Sequence, residues 1–531
     1  MTISSAEKPD IARTLELALA HQRAGRVNEA DRICRQLLAV EPGNSQVNHL
    51  MGILSYQLGH HESALDYLRH ALMQRPDVPE LHDVLGLVYR AVGRINEAIA
   101  SHQRAVALRP ELRQAHNNLG IVLAEQGRVK AAVVHFEEAV RLDPNFTEAH
   151  FNLGRALAEL DCVEEAIAHC RRALELQPNH PDAHNNLGVL LKQVGKNEEA
   201  LEQFEEALRL KPGDPDAHFH VATTLLALGS FERGWHEFEW RWLTTPPKSA
   251  RRDFRQLLWT GEDVSRRVVL LHAEQGLGDT LQFCRYAPLV AGRSRQTFLE
   301  VQPELVRLLA ASMTSNNLVV IGRTPDFPGA DGLPPFDYHC PLLSLPRIFR
   351  AMPEDVCKVP YLWVHPGQTE VWSRRLSDLA GKKVGLVWAG RPGYPMDKRR
   401  SMALAQLAPL AGIPGISFVS LQKGEPGRQA ASAPPGMALY DPTPDLHDFA
   451  DTAALIAALD LVIAVDTAPA HLAGALGKPV WLLNRFDSCW RWGIGHDETP
   501  WYPTMRLFRQ PRSGDWGSVV DAVVAELARL A

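Results

Sequence analysis

A short segment near the end of the chain carries side chains that could hold an anion. Residues 461–465 are apolar, Asp466 follows them, and Pro469 opens a mostly apolar stretch that stops at Gly477. Proline suits the first turn of a helix, and glycine suits the residue after its end. The segment therefore predicts a buried strand, a polar turn and a short helix.

The start of that helix has the chemistry of a phosphate site. The N–H groups of Thr467, Ala468 and Ala470 would lack partners there, and the helix dipole places positive charge at the same end. His471 falls on the first helical turn, and Asp466 could orient the turn. A nucleoside diphosphate would fit, although the same residues would also serve as a plain helix cap.

A carboxylate that could move a proton lies in an earlier loop. Residues 273–279 place Gly276 and Gly278 before Asp279, after one apolar run and ahead of a helical pattern. In this position Asp279 could act as a general base, or it could cap the helix that follows. The sequence leaves both roles open, and they are compatible with each other.

Strand and helix patterns alternate from residue 265 onward, and these elements must position the candidate residues. Such alternation predicts parallel sheets with helices on their faces, here in two successive Rossmann-like units, 265–370 and 371–531. Ligands bind such units at the carboxyl ends of the strands, where Gln422 and Lys423 would contact a nucleoside unless they are surface residues. The predicted strands are 267–272, 297–301, 318–321, 416–421, 461–465 and 479–483, with another from Lys382; the predicted helices are 280–291, 303–311, 452–459 and 469–476.

A period of 34 residues fills the first part of the chain. It is marked by prolines, by turn glycines with Asp161 in one slot, and by small residues at two further registers. One helix pair cannot bury its apolar face alone, so stacked pairs should form an α-solenoid with a groove. The pattern resembles the tetratricopeptide repeat and predicts seven repeats over residues 9–246. The register prolines are Pro42, Pro76, Pro110, Pro144, Pro178, Pro212 and Pro246.

Three asparagines recur at one register of this array. In proteins with such repeats this register faces the groove, so Asn118, Asn152 and Asn186 could form a ladder that holds the backbone of a peptide. They could instead cap or pair between helices of the array. Histidines with the same period indicate a packing or solvated role rather than a metal site: His82, His116, His150, His184 and His218.

The array ends in an aromatic segment, residues 231–242, which contains Trp235, Trp240 and Trp242. Such a segment is expected to cap the solenoid and to dock the next domain. Residues 247–264 are then the predicted linker.

The composition is typical of a globular protein. Hydrophobic residues make up 45% and charged residues 22% of the 531 residues, and the net charge of −6 disfavours a nucleic-acid partner. The seven cysteines are scattered and form no CxxC pair, which predicts free thiols and no zinc site. Because no apolar signal core or apolar run of about 18 residues is present, we expect a cytoplasmic protein without a membrane span.

Three motifs resemble those of a known enzyme family. The loop GLGD, the basic run RRS and the run VDTxxxHLxGAxGKP resemble the heptosyltransferase-like glycosyltransferases of the two-Rossmann GT-B fold. Preceded by repeats and by FERGWxxFExRW, the chain resembles the bacterial repeat-bearing glycosyltransferases, with a domain plan similar to that of the O-linked N-acetylglucosamine transferase of animals. The resemblance implies that Asp279 is the catalytic base and that Asp466, Thr467 and His471 bind the donor.

The same resemblance implies a basic residue that meets the donor diphosphate. Arg400 is the best match, and Arg399 is next. These groups and the helix start could stabilise the leaving diphosphate, so neither a metal nor a cofactor is expected. The resemblance also implies that the transfer inverts the anomeric carbon. Ala468 departs from the family because a glycine is usual there, so the sequence does not name the donor sugar.

Taken together, the sequence predicts an enzyme that moves a sugar from a nucleotide-sugar to a hydroxyl group on a protein held by the repeats. Two alternatives stay open. One is a glycosyltransferase for lipid-linked or polysaccharide acceptors, and the other is a non-catalytic repeat scaffold, against which the intact motifs argue.

Overall fold

The computed structural model describes residues 10–249, 251–313, 315–323, 332–350, 352, 360–393 and 396–530. The chain divides into two compact units, one up to residue 190 and one from residue 191. Six of the predicted free cysteines are unpaired in this structure, and Cys357 lies outside the described residues.

The repeat region is built of helix pairs, as the period predicts. Each turn between paired helices needs a left-handed residue, which Gly127 supplies with φ 70° and Asp161 with φ 62°. The pairs are Ile11–Arg23 with Val27–Val40, Ser45–Gln57 with His61–Gln74, Pro79–Ala91 with Ile95–Leu108, Arg113–Glu125 with Val129–Leu142, Thr147–Glu159 with Val163–Leu176, Pro181–Gln193 with Asn197–Leu210, and Pro215–Ala227 with Phe231–Glu237.

The small-residue registers lie where paired helices approach each other closely. A Cβ atom added to Gly120 would come within 2.6 Å of the Phe136 ring, and one added to Gly52 would come within 2.6 Å of the Leu68 side chain. Since contacts this short do not occur between real side chains, only glycine fits there. The sequence prediction of a close approach at this register is confirmed.

Two parallel sheets follow the repeats, which confirms the predicted fold class of an α-solenoid followed by α/β architecture. The first sheet has the strand order β1-β5-β2-β3-β4, and the second has the order β11-β10-β9-β6-β7-β8. The strands are β1 Leu257–Leu258, β2 Val268–His272, β3 Gln296–Val301, β4 Leu318–Gly322, β5 Tyr338–Pro341, β6 Lys382–Val387, β7 Ile416–Ser420, β8 Leu439–Tyr440, β9 Leu461–Val465, β10 Val480–Asn484 and β11 Met505–Arg509.

Helices cover these sheets, and one of them differs from its prediction. The helix predicted over 280–291 is divided into Leu277–Phe283, a 3-10 turn Cys284–Tyr286 and Ala287–Ala291. Pro288 cannot donate a backbone hydrogen bond to the preceding turn, so a continuous helix cannot pass through it. The other helices are Pro303–Ser312, Leu345–Phe349, Pro366–Arg375, Asp397–Arg400, Phe449–Ala457, Ala468–Ala475 and Trp516–Leu530.

The aromatic segment after the last repeat helix packs into the α/β region. The ring of Trp235 meets those of Phe283, Trp490 and Trp501 edge-on, at centroid distances of 5.8, 5.2 and 6.3 Å. Arg241 is fully buried and donates to both carboxylate oxygens of Glu274, at 2.9 and 3.0 Å. The segment therefore docks the α/β region onto the last repeat, as predicted.

Candidate functional site

The glycine loop leads directly into a helix that Asp279 caps. This glycine-loop helix, Leu277–Phe283, begins shortly after β2. The Oδ2 atom of Asp279 accepts the N–H of Gly276 at 2.9 Å, so Asp279 caps the helix from its third position, and Gly276 instead of Asp279 is the N-cap residue. The general-base role of Asp279 stays a prediction.

Arg491 holds the other oxygen of Asp279, and no sequence motif pointed to this arginine. It forms an ion pair with Asp279 Oδ1, donates from Nε to Gln282 Oε1 at 2.7 Å, and lies 4.2 Å above the Trp490 ring. Although burial disfavours its charge, the carboxylate of Asp279 raises the pKa of Arg491. The Asp279 carboxylate is therefore fixed in direction by a cation that stays charged.

The second motif folds as strand, turn and helix, with one correction. The Asp-Thr helix, Ala468–Ala475, follows β9 through Asp466 and Thr467. The prediction that the Ala470 N–H is free is wrong, because it donates to the Thr467 carbonyl at 3.0 Å. Since proline has no N–H, Thr467 and Ala468 carry the two remaining backbone donors of this turn.

The two motifs meet, although they are far apart in the chain. A Cβ atom added to Gly278 would come within 2.8 Å of His471 Cδ2 and 3.6 Å of the Ala468 Cα. The start of the glycine-loop helix therefore lies against the start of the Asp-Thr helix. Two positive helix ends at one place favour an anionic ligand there.

His471 is a buried neutral group within this contact. Its Nδ1 shares a 3.0 Å hydrogen bond with the Tyr502 hydroxyl, and its Nε2 lies 3.8 Å from Asp466 Oδ1. Burial, and next the charge of Arg491, lower the pKa of His471 to about 3. Near neutral pH, His471 can therefore form a hydrogen bond with a sugar-donor substrate, but it contributes no positive charge.

Arg400 reaches the predicted phosphate turn, whereas Arg399 is directed elsewhere. Arg400 donates from Nη1 to the Asp466 carbonyl at 3.1 Å and from Nε to Asp397 Oδ1 at 3.1 Å. A side chain at Gly390 would overlap its guanidinium group, so the bare backbone there leaves room for Arg400. Arg399 donates to Asp487 Oδ2 at 3.1 Å, in the segment after β10.

Gln422 and Lys423 have partners within the fold. The Oε1 atom of Gln422 accepts the N–H groups of Trp388 and Ala389 at 3.0 and 2.8 Å, so it ties the end of β7 to the end of β6. Gln422 is only 4% exposed, so the alternative that Gln422 is a surface residue is wrong. Lys423 donates to the carbonyl of Thr443 at 3.3 Å and also contacts that of Leu446.

The groove asparagines make contacts between neighbouring repeats. Asn118 donates to both carboxylate oxygens of Asp83 at 3.1 Å, and Asn152 donates to Asn117 Oδ1 at 3.0 Å. These contacts bear out the pairing alternative for two of the three positions, while Asn186 is half-buried. Peptide binding by the ladder stays a prediction.

Each periodic histidine bonds to the proline that ends the preceding repeat. In each case Nε2 donates to the carbonyl of the proline six residues earlier, at 2.7 to 3.1 Å. The packing role is therefore confirmed for His82, His116, His150, His184 and His218.

The described residues contain neither a metal-binding cluster nor a helix that could span a membrane. No group of three or more His, Cys, Asp or Glu side chains in these ranges could hold a metal ion. No helix in the same ranges has the length and apolar character needed to cross a membrane.

Comparison with known families matches both parts of the chain. Models of the tetratricopeptide repeat match residues 21–88, 86–127, 122–161 and 146–212. The model of glycosyltransferase family 9 (heptosyltransferase) matches residues 446–488, which include the Asp-Thr helix. The chain therefore carries tetratricopeptide repeats and, in its C-terminal region, a segment of the glycosyltransferase family 9 type.

Individual relatives cover only part of the chain. Protein FlbA of Caulobacter vibrioides is 30% identical over 289 residues, which are 51% of this chain and 48% of FlbA. The chain thus spans about half the length of this curated relative. Among solved structures, YrrB, a TPR protein with an unusual peptide-binding site, is 26% identical with a TM-score of 0.30, over 35% of this chain and 95% of YrrB. PilF of Pseudomonas aeruginosa is 18% identical with a TM-score of 0.37, over 39% of this chain and 94% of PilF.

Proposed function

We propose that this repeat-bearing chain is a glycosyltransferase that moves a sugar from a nucleotide-sugar to a hydroxyl group on a protein. The observation that carries the proposal is the contact between Gly278 and His471, because it joins the glycine loop to the Asp-Thr turn. The match to glycosyltransferase family 9 over residues 446–488 supports the same reaction class.

The donor diphosphate would bind at the paired helix starts. The N–H groups of Thr467 and Ala468 would donate to phosphate oxygens, and the Arg400 guanidinium lies on the Asp466 carbonyl of the same turn. Fixed donors of this kind stabilise the charge that develops on a leaving diphosphate. The proposed donor site needs no metal ion.

The acceptor hydroxyl would give its proton to Asp279. Arg491 and the Gly276 N–H hold this carboxylate in place, and neither contact removes its negative charge. Inversion at the anomeric carbon is proposed from the resemblance to the heptosyltransferase-like family, in which a general base activates the acceptor hydroxyl. The acceptor is proposed to be a protein because the transferase region is joined to a long repeat array.

A binding screen with a matched pair of variants tests the donor site. Wild-type protein should gain thermal stability with one class of nucleoside diphosphate. Arg400→Ala should weaken that binding about 10- to 100-fold, the contribution of a charge-assisted hydrogen bond, whereas Arg399→Ala should weaken it less. If every nucleoside diphosphate left the wild-type protein unchanged, the scaffold alternative would be favoured instead.

A further inference from the structure

A cluster of charges lies where the last repeats meet the segment after β10. It consists of Lys192, Arg399, Arg485 and Asp487, and we refer to it as the Asp487 cluster. Arg399 Nη1 lies 3.1 Å from Asp487 Oδ2, and Arg485 Nε lies 3.6 Å from Asp487 Oδ1. Lys192, on helix Pro181–Gln193, interacts electrostatically with Asp487 and Arg485.

Local packing keeps the two parts of this cluster together. The turn glycine of the sixth repeat, Gly195, lies against Phe486, whose ring would be 3.3 Å from an added Cβ atom. The Nζ atom of Lys192 donates to Thr223 Oγ1 of the seventh repeat at 3.0 Å. The repeats thus supply Lys192, helix Asp397–Arg400 supplies Arg399, and the segment after β10 supplies Arg485 and Asp487.

The cluster holds more positive than negative charge. Arg399 and Arg485 both pair with Asp487, Lys192 interacts with it electrostatically, and the side chains of Arg485 and Asp487 are only 14% and 15% exposed. The Nη1 atom of Arg485 is buried without a hydrogen-bond partner among the described residues, as is Asn484 Oδ1 beside it. A buried guanidinium nitrogen without an acceptor is costly, so an anion bound there would lower the free energy of the site.

The cluster also lies beside the proposed donor site. It follows β10, which pairs with β9, the strand that leads into Asp466 and Thr467. Arg399 is the direct neighbour of Arg400, which reaches the Asp466 carbonyl. A ligand that extends from the Asp-Thr turn along the sheet edge would meet the Asp487 cluster next.

We propose that the Asp487 cluster is an anion subsite, in which Lys192 of the repeat array and Arg485 bind a phosphate or carboxylate group of a substrate. The repeat array then contributes Lys192 to the substrate site, in addition to its proposed role of binding the acceptor protein. Assigning the anion to a substrate rests on the proposed transferase function, and two sources have the right chemistry: the donor phosphates or an acidic residue of the acceptor protein.

Inorganic sulfate tests the subsite without any assumption about the reaction. Binding is followed by calorimetry on the full chain at low ionic strength. Lys192→Gln and Arg485→Gln should each weaken sulfate binding by about tenfold, the contribution of one charge-assisted hydrogen bond. Lys196→Gln is the matched control, because Lys196 lies in the same repeat and its half-exposed side chain forms an ion pair with Glu199. Sulfate affinities equal to wild type in both cluster variants would overturn the proposal.

The pH dependence distinguishes ligand binding from a structural role of Lys192. Burial lowers the pKa of Lys192 to about 8, against the raising effect of Cys489 and Asp487, and Arg485 lowers it further. The neighbouring His220 adds no charge near neutral pH, because burial and Lys192 lower its pKa to about 3. Since sulfate keeps its charge over this range, its affinity should fall as the pH rises through 8.

Lys192→Arg provides a variant that keeps the charge. It should retain sulfate binding and lose the change near pH 8, since a guanidinium does not titrate there. Loss of sulfate binding in Lys192→Arg with unchanged folding, or an unaltered pH profile, would contradict the role of Lys192.

Two further measurements identify the source of the anion. If the cluster binds donor phosphate, Lys192→Gln should weaken nucleoside diphosphate binding as well as sulfate binding. If it binds the acceptor, nucleoside diphosphate affinity should stay unchanged, while KM rises for an acidic peptide acceptor but not for its neutral amide counterpart. A wild-type protein that binds sulfate at the cluster but no nucleoside diphosphate would contradict the transferase proposal and leave the anion subsite standing.

Discussion

Asp279 shows at the residue scale how one side chain combines a structural contact with a proposed chemical role. Its two oxygens accept from the Gly276 N–H and pair with Arg491. The sequence predicted a capping role with Asp279 as the N-cap residue, whereas the helix begins three residues earlier and Asp279 bonds the N-cap residue Gly276 from the first turn. Arg491 could not be predicted, since the pair joins residues far apart in the chain and only the fold brings them together.

We expect Asp279→Asn to separate the two roles of this residue. Asparagine keeps an oxygen that can accept the Gly276 N–H, but it cannot take a proton from an acceptor hydroxyl. Transfer should therefore fall by about 10²- to 10⁴-fold, the span for a general base, while nucleoside diphosphate affinity changes little. Initial rates and calorimetry on the same preparation check both parts, and near-normal turnover would remove Asp279 from the proposed mechanism.

Asp279→Ala should additionally destabilise the protein. It leaves the buried Arg491 without its carboxylate, and an unpaired buried charge costs about 3–5 kcal/mol. Urea unfolding of wild type, Asp279→Ala and Asp279→Asn measures this cost, and Asp279→Asn should lose less stability because its amide oxygen can still accept from Arg491. Since both variants lack the carboxylate, a stability equal to that of wild type in both would show that the ion pair with Arg491 contributes little to the fold.

Gly278 gives a prediction that depends on shape alone. A methyl group there would come within 2.8 Å of the His471 ring, so Gly278→Ala must push the two helix starts apart. Overpacking of this kind costs about 1–3 kcal/mol, and donor binding should weaken with it. Gly412→Ala is the control, because an added Cβ meets nothing within 4 Å there. If Gly278→Ala bound nucleoside diphosphates as tightly as Gly412→Ala, the contact between the motifs would not matter for the donor.

At the scale of elements, local patterns predicted most of the fold. Strand β9 has the bounds that its apolar run predicts, and the repeat turns begin where glycines were expected. Strand β5, Tyr338–Pro341, was not predicted, because it is short and ends in a proline, which usually argues against a strand. Its neighbours β1 and β2 supply the pairing that the sequence pattern could not show.

Two histidine pairs add a pH-dependent contact to the repeats. Nδ1 of His116 lies 3.2 Å from that of His135, and the corresponding atoms of His150 and His169 lie 3.0 Å apart. Because Nε2 of His116 donates to the Pro110 carbonyl, its Nδ1 can only accept while the ring is neutral. Nδ1 of His135 must therefore donate in this bond, and a further proton on the His135 ring can enter only at Nε2, which charges a partly buried group.

We expect these pairs to weaken the repeat region in acid. Burial, and next His116, lower the pKa of His135; burial, and next His150, lower that of His169. A histidine with a lowered pKa in the folded state contributes its full stability above about pH 6.5, and that contribution is lost as the pH falls toward the folded-state value. Hydrogen exchange of residues 113–176 at pH 7.5 and 5.5 should show faster opening at the lower pH.

The array itself offers the matched variant for this measurement. The next repeat has Gln203 at the register of His135 and His169. His135→Gln with His169→Gln should therefore fold, and it should show a smaller change in exchange between the two pH values. If the double variant responded to acid as strongly as the wild type, the acid sensitivity would have to come from other groups.

At the scale of the whole molecule, the division of the chain separates the proposed donor site from most of the repeats. Asp279, Arg400 and His471 all belong to the unit from residue 191, which has its own core around Trp235 and Trp501. The seventh repeat is part of that core. A truncation that removed the aromatic segment would therefore expose this core. Removing only the residues before Pro181 leaves helix Pro181–Gln193 and its Lys192 intact.

The last prediction concerns what the earlier repeats do. A chain that begins at Pro181 should still bind the nucleoside diphosphate with an affinity close to that of the full chain, because it retains every residue that we propose binds the donor. Transfer to a protein acceptor should fall strongly, since the removed groove residues include Asn118 and Asn152. Within the full chain, Asn186→Ala is the cleaner ladder variant, because Asn118→Ala would also leave Asp83 with one donor fewer. Each hydrogen bond to a peptide backbone contributes about 0.5–1.5 kcal/mol, so Asn186→Ala should raise the acceptor KM by roughly 2- to 12-fold without changing donor affinity. Full activity of the truncated chain on a protein acceptor would show that recognition depends on the α/β region and the last two repeats, and that the earlier repeats serve another purpose.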